Sequence, residues 1–167
     1  FRSVLGGYYG NSRGIRGYTV FPSSQAPVAS TSGVAQAAML IIGKQTTDAT
    51  PTVLTSDGGA AGTNNQLILP NNSAYFFKGS IIAGVTGGGN TSAWEFKGAI
   101  KRGAAAVNTS LVGSLILDLI AQDSGASSWV VSIAADTTNG GLAITVTGQA
   151  ATTIRWVAKI ETTEMTY

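Results

Sequence analysis

The sequence predicts an all-β protein: an antiparallel β-sandwich or jelly roll of about eight or nine strands, preceded by a short Gly-rich stalk segment. Three observations carry this expectation. Residues 92–102 alternate, with Trp94, Phe96, Gly98 and Ile100 on one side and Glu95, Lys97, Ala99 and Lys101 on the other. A strand turns successive side chains to opposite faces, so this stretch has one dry face and one wet face. The charged face disfavours a parallel α/β sheet, whose strands are covered on both sides. The same alternation recurs along the chain, punctuated by turns rich in Gly, Asn, Ser and Thr.

Composition narrows the class further. A chain of 167 residues suits one domain, or one with a short appendage, and buries enough surface to need no staple. It has no Cys, which excludes disulfides and thiolate metal sites. It has no His, which removes the commonest general base and the commonest transition-metal ligand. No cofactor is expected. Only 11% of residues are charged and 22 are Gly. Such low charge suits a protein whose outer faces are partly covered by copies of itself. The net charge of +2 is too small to point to nucleic acid. The longest apolar runs, such as residues 37–42, are too short to cross a bilayer, so no membrane insertion is expected. The first residues lack the apolar segment of a secretory signal. A chain that begins at Phe1 is expected to be a fragment or a processed product.

Residues 1–32 are expected to stand apart from a sandwich over residues 33–167. Gly6, Gly7, Gly10, Gly14 and Gly17 recur there, with Tyr8, Tyr9, Ile15 and Tyr18 between them and Arg2, Arg13 and Arg16 as the charges. The stretch is too short and Gly-rich for a core of its own. Two readings stay open: a flexible linker, or the last turns of a stalk in which several chains wind together. The second makes Tyr8, Tyr9, Ile15, Tyr18 and Phe21 contacts between three chains, since left exposed they form an unusual apolar surface. Pro22, Ser23, Ser24 and Pro27 mark the junction.

Residues 34–46 read as a buried strand; Ala and Leu also favour a helix over 34–40. Short strands follow at 51–55 and 66–69, with a turn at Pro70, Asn71, Asn72 and Ser73. Residues 74–85 alternate, with Tyr75, Phe77, Ile81 and Ala83 opposite Phe76, Lys78, Ser80 and Ile82. Gly87, Gly88, Gly89 and Asn90 turn this strand into the Trp94 strand as a hairpin. Residues 103–110 read as a loop, and residues 111–122 as a strand closed by Asp123, Ser124 and Gly125. Trp129, Val131, Ile133 and Ala135 point inward on the next strand. Asn139-Gly140 is a tight hairpin signal before the strand of Leu142, Ile144 and Val146. The last strand turns Ile154, Trp156, Ala158 and Ile160 inward and Arg155, Lys159 and Glu161 outward. Trp94, Trp129 and Trp156 each fall on a dry face and are expected to share one core.

Several motifs carry a family resemblance. Thr46-Thr47-Asp48-Ala49-Thr50-Pro51-Thr52-Val53-Leu54 is followed by Leu69-Pro70-Asn71-Asn72-Ser73-Ala74-Tyr75. Then come residues 94–103, Ala135-Asp136-Thr137-Thr138-Asn139-Gly140 and Ile154-Arg155-Trp156-Val157-Ala158. Together they resemble the C-terminal domain of tailed-bacteriophage tail-fibre and related virion appendage proteins, over residues 45–166. The resemblance implies a homotrimeric appendage on the virion surface, with a distal β-domain after a Gly-rich stalk. Its partners are then copies of itself, other virion proteins, and a host cell-surface glycan or protein. The resemblance supplies no set of ligand-binding residues.

No catalytic constellation emerges. Glycan hydrolysis needs two carboxylates a few ångströms apart. Asp118 and Asp123 are nearest on one segment, but they fall on opposite faces and Asp123 heads a turn. Asp57 and Asp136 read as turn residues, with a calcium-type role as the minor alternative. The Gly87–Gly89 run lacks the Lys-Ser/Thr and helix of a phosphate cradle. Lys97, Lys101 and Arg102 read as a solvated strand face or subunit salt bridges. The expected function is therefore noncatalytic: the distal domain of a trimeric fibre, binding the host surface through loops at one end of the sandwich. The candidate loops are 87–92, 103–110 and 123–127, with Gly87, Gly88, Gly89, Asn90, Asn108 and Ser124 as candidate contacts. The alternatives are a purely architectural capsid or tail decoration protein, and the noncatalytic end of a glycan depolymerase.

Overall fold

The computed structural model describes residues 4–5, 7–23 and 26–167, so Arg2, Gly6 and Ser24 lie outside the described residues. In chain order the strands are β1 (Val4–Leu5), β2 (Thr19–Pro22), β3 (Ala35–Thr46), β4 (Thr52–Val53), β5 (Leu67–Ile68), β6 (Ser73–Val85), β7 (Thr91–Arg102), β8 (Thr109–Leu111), β9 (Ile116–Gln122), β10 (Val130–Asp136), β11 (Gly141–Thr147) and β12 (Ile154–Thr166). Helical structure among the described residues is confined to two single turns, Ala106–Asn108 and Ser124–Ala126. The larger sheet runs β1-β2-β3-β12-β6-β7-β8, with β9 also paired to β7. The smaller sheet is β10-β11-β4, with β5 also on β11. Pairing is antiparallel apart from the two-residue parallel contact of β1 with β2. The protein is a two-sheet β-sandwich.

Alternation placed the faces correctly. On β6, Tyr75, Phe77, Ile81 and Ala83 are buried and Phe76, Lys78, Ser80 and Ile82 exposed. On β12, Ile154, Trp156, Ala158 and Ile160 are buried while Arg155, Val157 and Lys159 are exposed. Residues 35–40 belong to β3 and Val34 to the bend before it, not to a helix: alternate residues of β3 from Gln36 to Ile42 are buried, the period of a sheet rather than of a helix. The two hairpins expected from their turns are present, β6–β7 and β10–β11.

The two sheets meet on the tryptophans. Trp94 and Trp156 of the larger sheet stack with centroids 5.8 Å apart, and Trp129, just before β10, lies 5.6 Å from Trp156. All three are buried. Trp156 donates its indole N–H to Thr46 Oγ1 at 2.9 Å, so its polar edge is satisfied inside the core. Phe77 and Phe96 face glycines across the β6–β7 ladder, Gly98 and Gly79 respectively. Each ring fills the space a side chain there would need.

Two expectations are corrected. Residues 111–122 do not form one strand: Gly113, at φ +71°, breaks the run between β8 and β9. A bulge opposite Ala93 and Trp94 then interrupts the alternation of β9 and leaves Leu119 and Ile120 both exposed. Nor does the segment before residue 33 stand apart from the sandwich: it joins the sandwich's core. Ile15, Tyr18 and Val20 are fully enclosed in this chain's own core, and β2 pairs with β3. Ile15 and Tyr18 are therefore unavailable as contacts between chains. Tyr8 and Phe21 remain exposed and Tyr9 half-buried.

A buried polar network seals this segment to the sheet. On β12 the inward parity that carries Ile160 continues to Thr162 and Glu164. Glu164 accepts hydrogen bonds from Gln36 Nε2 (2.7 Å), Thr162 Oγ1 (2.9 Å) and the Tyr18 hydroxyl. Arg13 forms an ion pair with the same carboxylate and donates to the Gly33 carbonyl at 2.6 Å. Asn11 exchanges bonds in both directions with Gln36. Burial, and next the charge of Glu164, hold the Tyr18 phenol well above its usual range, and Tyr75 is pushed the same way for the same reasons.

Candidate functional site

The antiparallel topology gives the sandwich two ends. At one end β6 runs into β7 through residues 86–90, β9 runs into β10 through residues 123–129, and β11 runs into β12 through residues 148–153. These three loops form one hydrogen-bonded rim. Thr91 N–H donates to Asp123 Oδ2 at 2.8 Å, and Asp123 N–H returns a bond to the Thr91 carbonyl at 3.0 Å. Thr86 N–H donates to the Thr153 carbonyl at 2.9 Å. Trp129 Nε1 donates to Gln149 Oε1 at 3.4 Å. The Asn90 carboxamide occupies the space that a Cβ on Gly125 would need, so the first two loops pack without a gap.

Within the rim, Gly87, Gly88 and Gly89 have φ of +88°, +99° and +135°, a region that side chains rarely adopt. Gly87 and Gly88 have open space around the missing Cβ. Ser124 is exposed on its single helical turn, which Ala126 pins to the core beneath. Five of the six candidate contacts are thus brought together from one pair of loops: Gly87, Gly88 and Gly89 beside Ser124, with Asn90 as the packing residue between them.

Asn108 is not with them. Its loop joins the far end of β7, where Gly103 N–H bonds the Asn108 carbonyl at 3.2 Å and Asn72 N–H bonds Gly103 at 3.0 Å. The length of β7, 12 residues, separates the two sites, on the order of 35 Å at the rise of a strand. The three candidate loops therefore do not form one surface; the loop 148–153 takes the place of 103–110. Its Gly, Gln and Ala residues announced a turn, but nothing local says which end a turn occupies.

Carboxylates divide into caps and an exposed pair. Asp57 accepts from Asn65 Nδ2 at 2.9 Å and from Gly59 N–H at 3.0 Å, and pairs with Arg16; these bonds hold its carboxyl at about 2. Burial works to raise Asp136, but bonds from Asn139, Gln66 and Thr138 outweigh it and keep the group low. Asp48 is lowered by the Thr50 N–H at 2.7 Å. Each is a turn cap. Asp123 faces the Thr91 amide, while Asp118 stands on the outer face of β9. There it lies directly opposite Glu95 of β7, a pair that no single segment reveals. Opposed side chains on a ladder have Cβ atoms about 5 Å apart, close to the spacing of a glycosidase pair. Both are exposed, whereas a general acid is usually raised by burial. The basic cluster is also split: Lys97 and Lys101 are exposed, while Arg102 turns its guanidinium to the Leu69 carbonyl at 2.6 Å.

Two depressions, of about 290 and 410 Å3, lie on the outer face of the larger sheet rather than at the rim. Among the described residues there is no group of three or more acidic side chains placed to hold a metal ion. No helix of the described residues is long and apolar enough to cross a membrane.

No protein-family model and no curated protein matches the chain. Among solved structures it is similar to the tailspike protein gp49 of Acinetobacter baumannii bacteriophage Fri1, a capsular polysaccharide depolymerase, at a TM-score of 0.45 and 13% identity. The likeness covers 88% of this chain and 19% of that one, so the chain spans about a fifth of the tailspike's length.

Proposed function

We propose that this chain is the noncatalytic distal domain of a homotrimeric phage tail fibre or appendage, displayed on the virion, that contacts a host-surface glycan or protein. The rim of loops 86–90, 123–129 and 148–153 is the contact surface. One observation carries this reading: three loops from both sheets are bonded into a single exposed edge on a rigid double-sheet scaffold. Loops held this way present variable side chains without losing the fold beneath. The sequence resemblance supplies the virion context.

The test is adsorption. Purified residues 1–167 are expected to bind a host-glycan array or to compete with phage for host cells. Ser124→Tyr, on the rim, is expected to weaken binding at least about tenfold, the loss of one or two good contacts. Asn108→Tyr, at the opposite end, is expected to leave it unchanged. A domain that binds neither glycans nor cells, but does bind other virion proteins, supports the architectural alternative and ends this one.

A further inference from the structure

The larger sheet gives one face to the core and turns the other outward. That outer face is unusually apolar for a solvated surface. Phe21, Ile41, Phe76, Ile82 and Val157 each expose between 46% and 55% of their surface. The register joins them into bands. Phe76 is opposite Thr163, Thr163 opposite Ala37, and Ala37 opposite Phe21; towards the rim, Ile82 is opposite Val157. Bands of this kind on a soluble β-protein mark contact surfaces.

Between the bands runs a charged belt, and its pairing is unfavourable within one chain. Lys78 stands directly opposite Lys97, and Glu95 directly opposite Asp118. Like charges opposed on a ladder destabilise it. Lys78 finds relief across β12, where Glu161 lies 3.3 Å away. Lys97, Glu95 and Asp118 have no ion pair among the described residues. The acidic pair and the basic pair sit side by side, two residues apart along β7, which is about 7 Å.

We propose that copies of this chain join through this outer sheet face, burying the apolar bands and setting the Lys78–Lys97 pair of one copy against the Glu95–Asp118 pair of the next. The face is complementary to itself in charge, which selects a second copy over an unrelated partner. Closed symmetry then satisfies every copy. The inference rests on the self-association in the proposed function, not on host binding, and it keeps Phe21 from residues 1–32 but places the contact on the outer face of the sheet.

Sedimentation equilibrium of residues 1–167 at micromolar concentration tests it. The wild-type chain is expected to be a multimer. Ile82→Lys is expected to give the single-chain mass with an unchanged circular dichroism spectrum. Lys97→Glu and Asp118→Lys each remove a like-charge pair inside the chain, so each should keep or raise its folding stability. Each is nonetheless expected to weaken self-association about tenfold or more, because it sets like charges across the interface. Mixing the two variants is expected to recover part of the association, because two of the three contacts in a mixed trimer are then complementary in charge. A wild-type monomer overturns both the self-association and its location. A multimer that all three variants leave intact overturns the location alone. A monomer that shields this face only when another virion protein is added assigns the face to that protein and overturns the proposal.

Discussion

Arg13 and Glu164, 151 positions apart in sequence, form an ion pair at 3.3 Å with both side chains almost wholly buried. The pair joins the first described turn of the chain to its last strand. Desolvating two charges is costly, and removing one partner leaves the other buried and uncompensated. Arg13→Met is therefore expected to destabilise the domain by about 3–5 kcal/mol. Replacing Glu164 by an apolar residue as well removes the stranded charge but leaves the Tyr18 hydroxyl and Gln36 Nε2 without this acceptor, so the double variant is expected to recover only part of the loss. Urea denaturation midpoints compare the three proteins. Equal midpoints for Arg13→Met and wild type would show that residues 11–18 are not held by this carboxylate.

Trp156 lies between Trp94 and Trp129 at the junction of the two sheets. Trp156→Ala opens a cavity that neither sheet can close without moving the other. The expected loss is about 3–5 kcal/mol, the range for large core aromatics. Trp156→Phe keeps most of the volume but orphans Thr46 Oγ1, so its cost is expected to be smaller. An unchanged midpoint for Trp156→Ala would contradict the assignment of the inner faces.

Acid should loosen the Arg16–Asp57 contact, which ties the first segment to residues 56–65. The Asp57 carboxyl falls from 3.8 to about 2 in the folded protein, first through Asn65 and then through Gly59. A group with a depressed pKa contributes stability above its unfolded value, and that contribution is lost as pH falls through the folded value. The melting temperature of the wild type should therefore decline between about pH 4 and pH 2. The decline should be shallower in Asp57→Asn. Parallel profiles for the two proteins would remove Asp57 from the account.

No polysaccharide cleavage is expected from this domain. Glu95 and Asp118 are the carboxylates best spaced for it, and both stand in solvent on an open sheet face. Incubation with capsular polysaccharide should release no reducing ends. Release that Glu95→Gln or Asp118→Asn abolishes would make the outer face an active site and overturn the noncatalytic reading.

Alternation and turns, both local properties, made much of the fold legible. The period of two in residues 74–85 and 154–161 placed Tyr75, Phe77, Ile81, Ala83, Ile154, Trp156, Ala158 and Ile160 inside, and Gly87–Asn90 and Asn139-Gly140 located two hairpins. The three tryptophans on dry faces pointed to one core. Carrying the same parity four residues beyond Ile160 would have placed Glu164 inside as well. What local pattern does not contain is which strand pairs with which. Only the register sets Glu95 against Asp118, or brings loop 148–153 rather than 103–110 beside Gly87–Gly89. The segment before residue 33 shows the limit most clearly. Its glycines and lone aromatics look unable to form a core, and alone they are. Ile15 and Tyr18 become core residues because β3 and β12, far along the chain, offer a place to bury them and a carboxylate to bind. Strand faces follow from the geometry of each residue's own backbone; pairing, convergence of loops and burial of a marginal segment depend on contacts made across the whole chain, and the tertiary structure alone decides them.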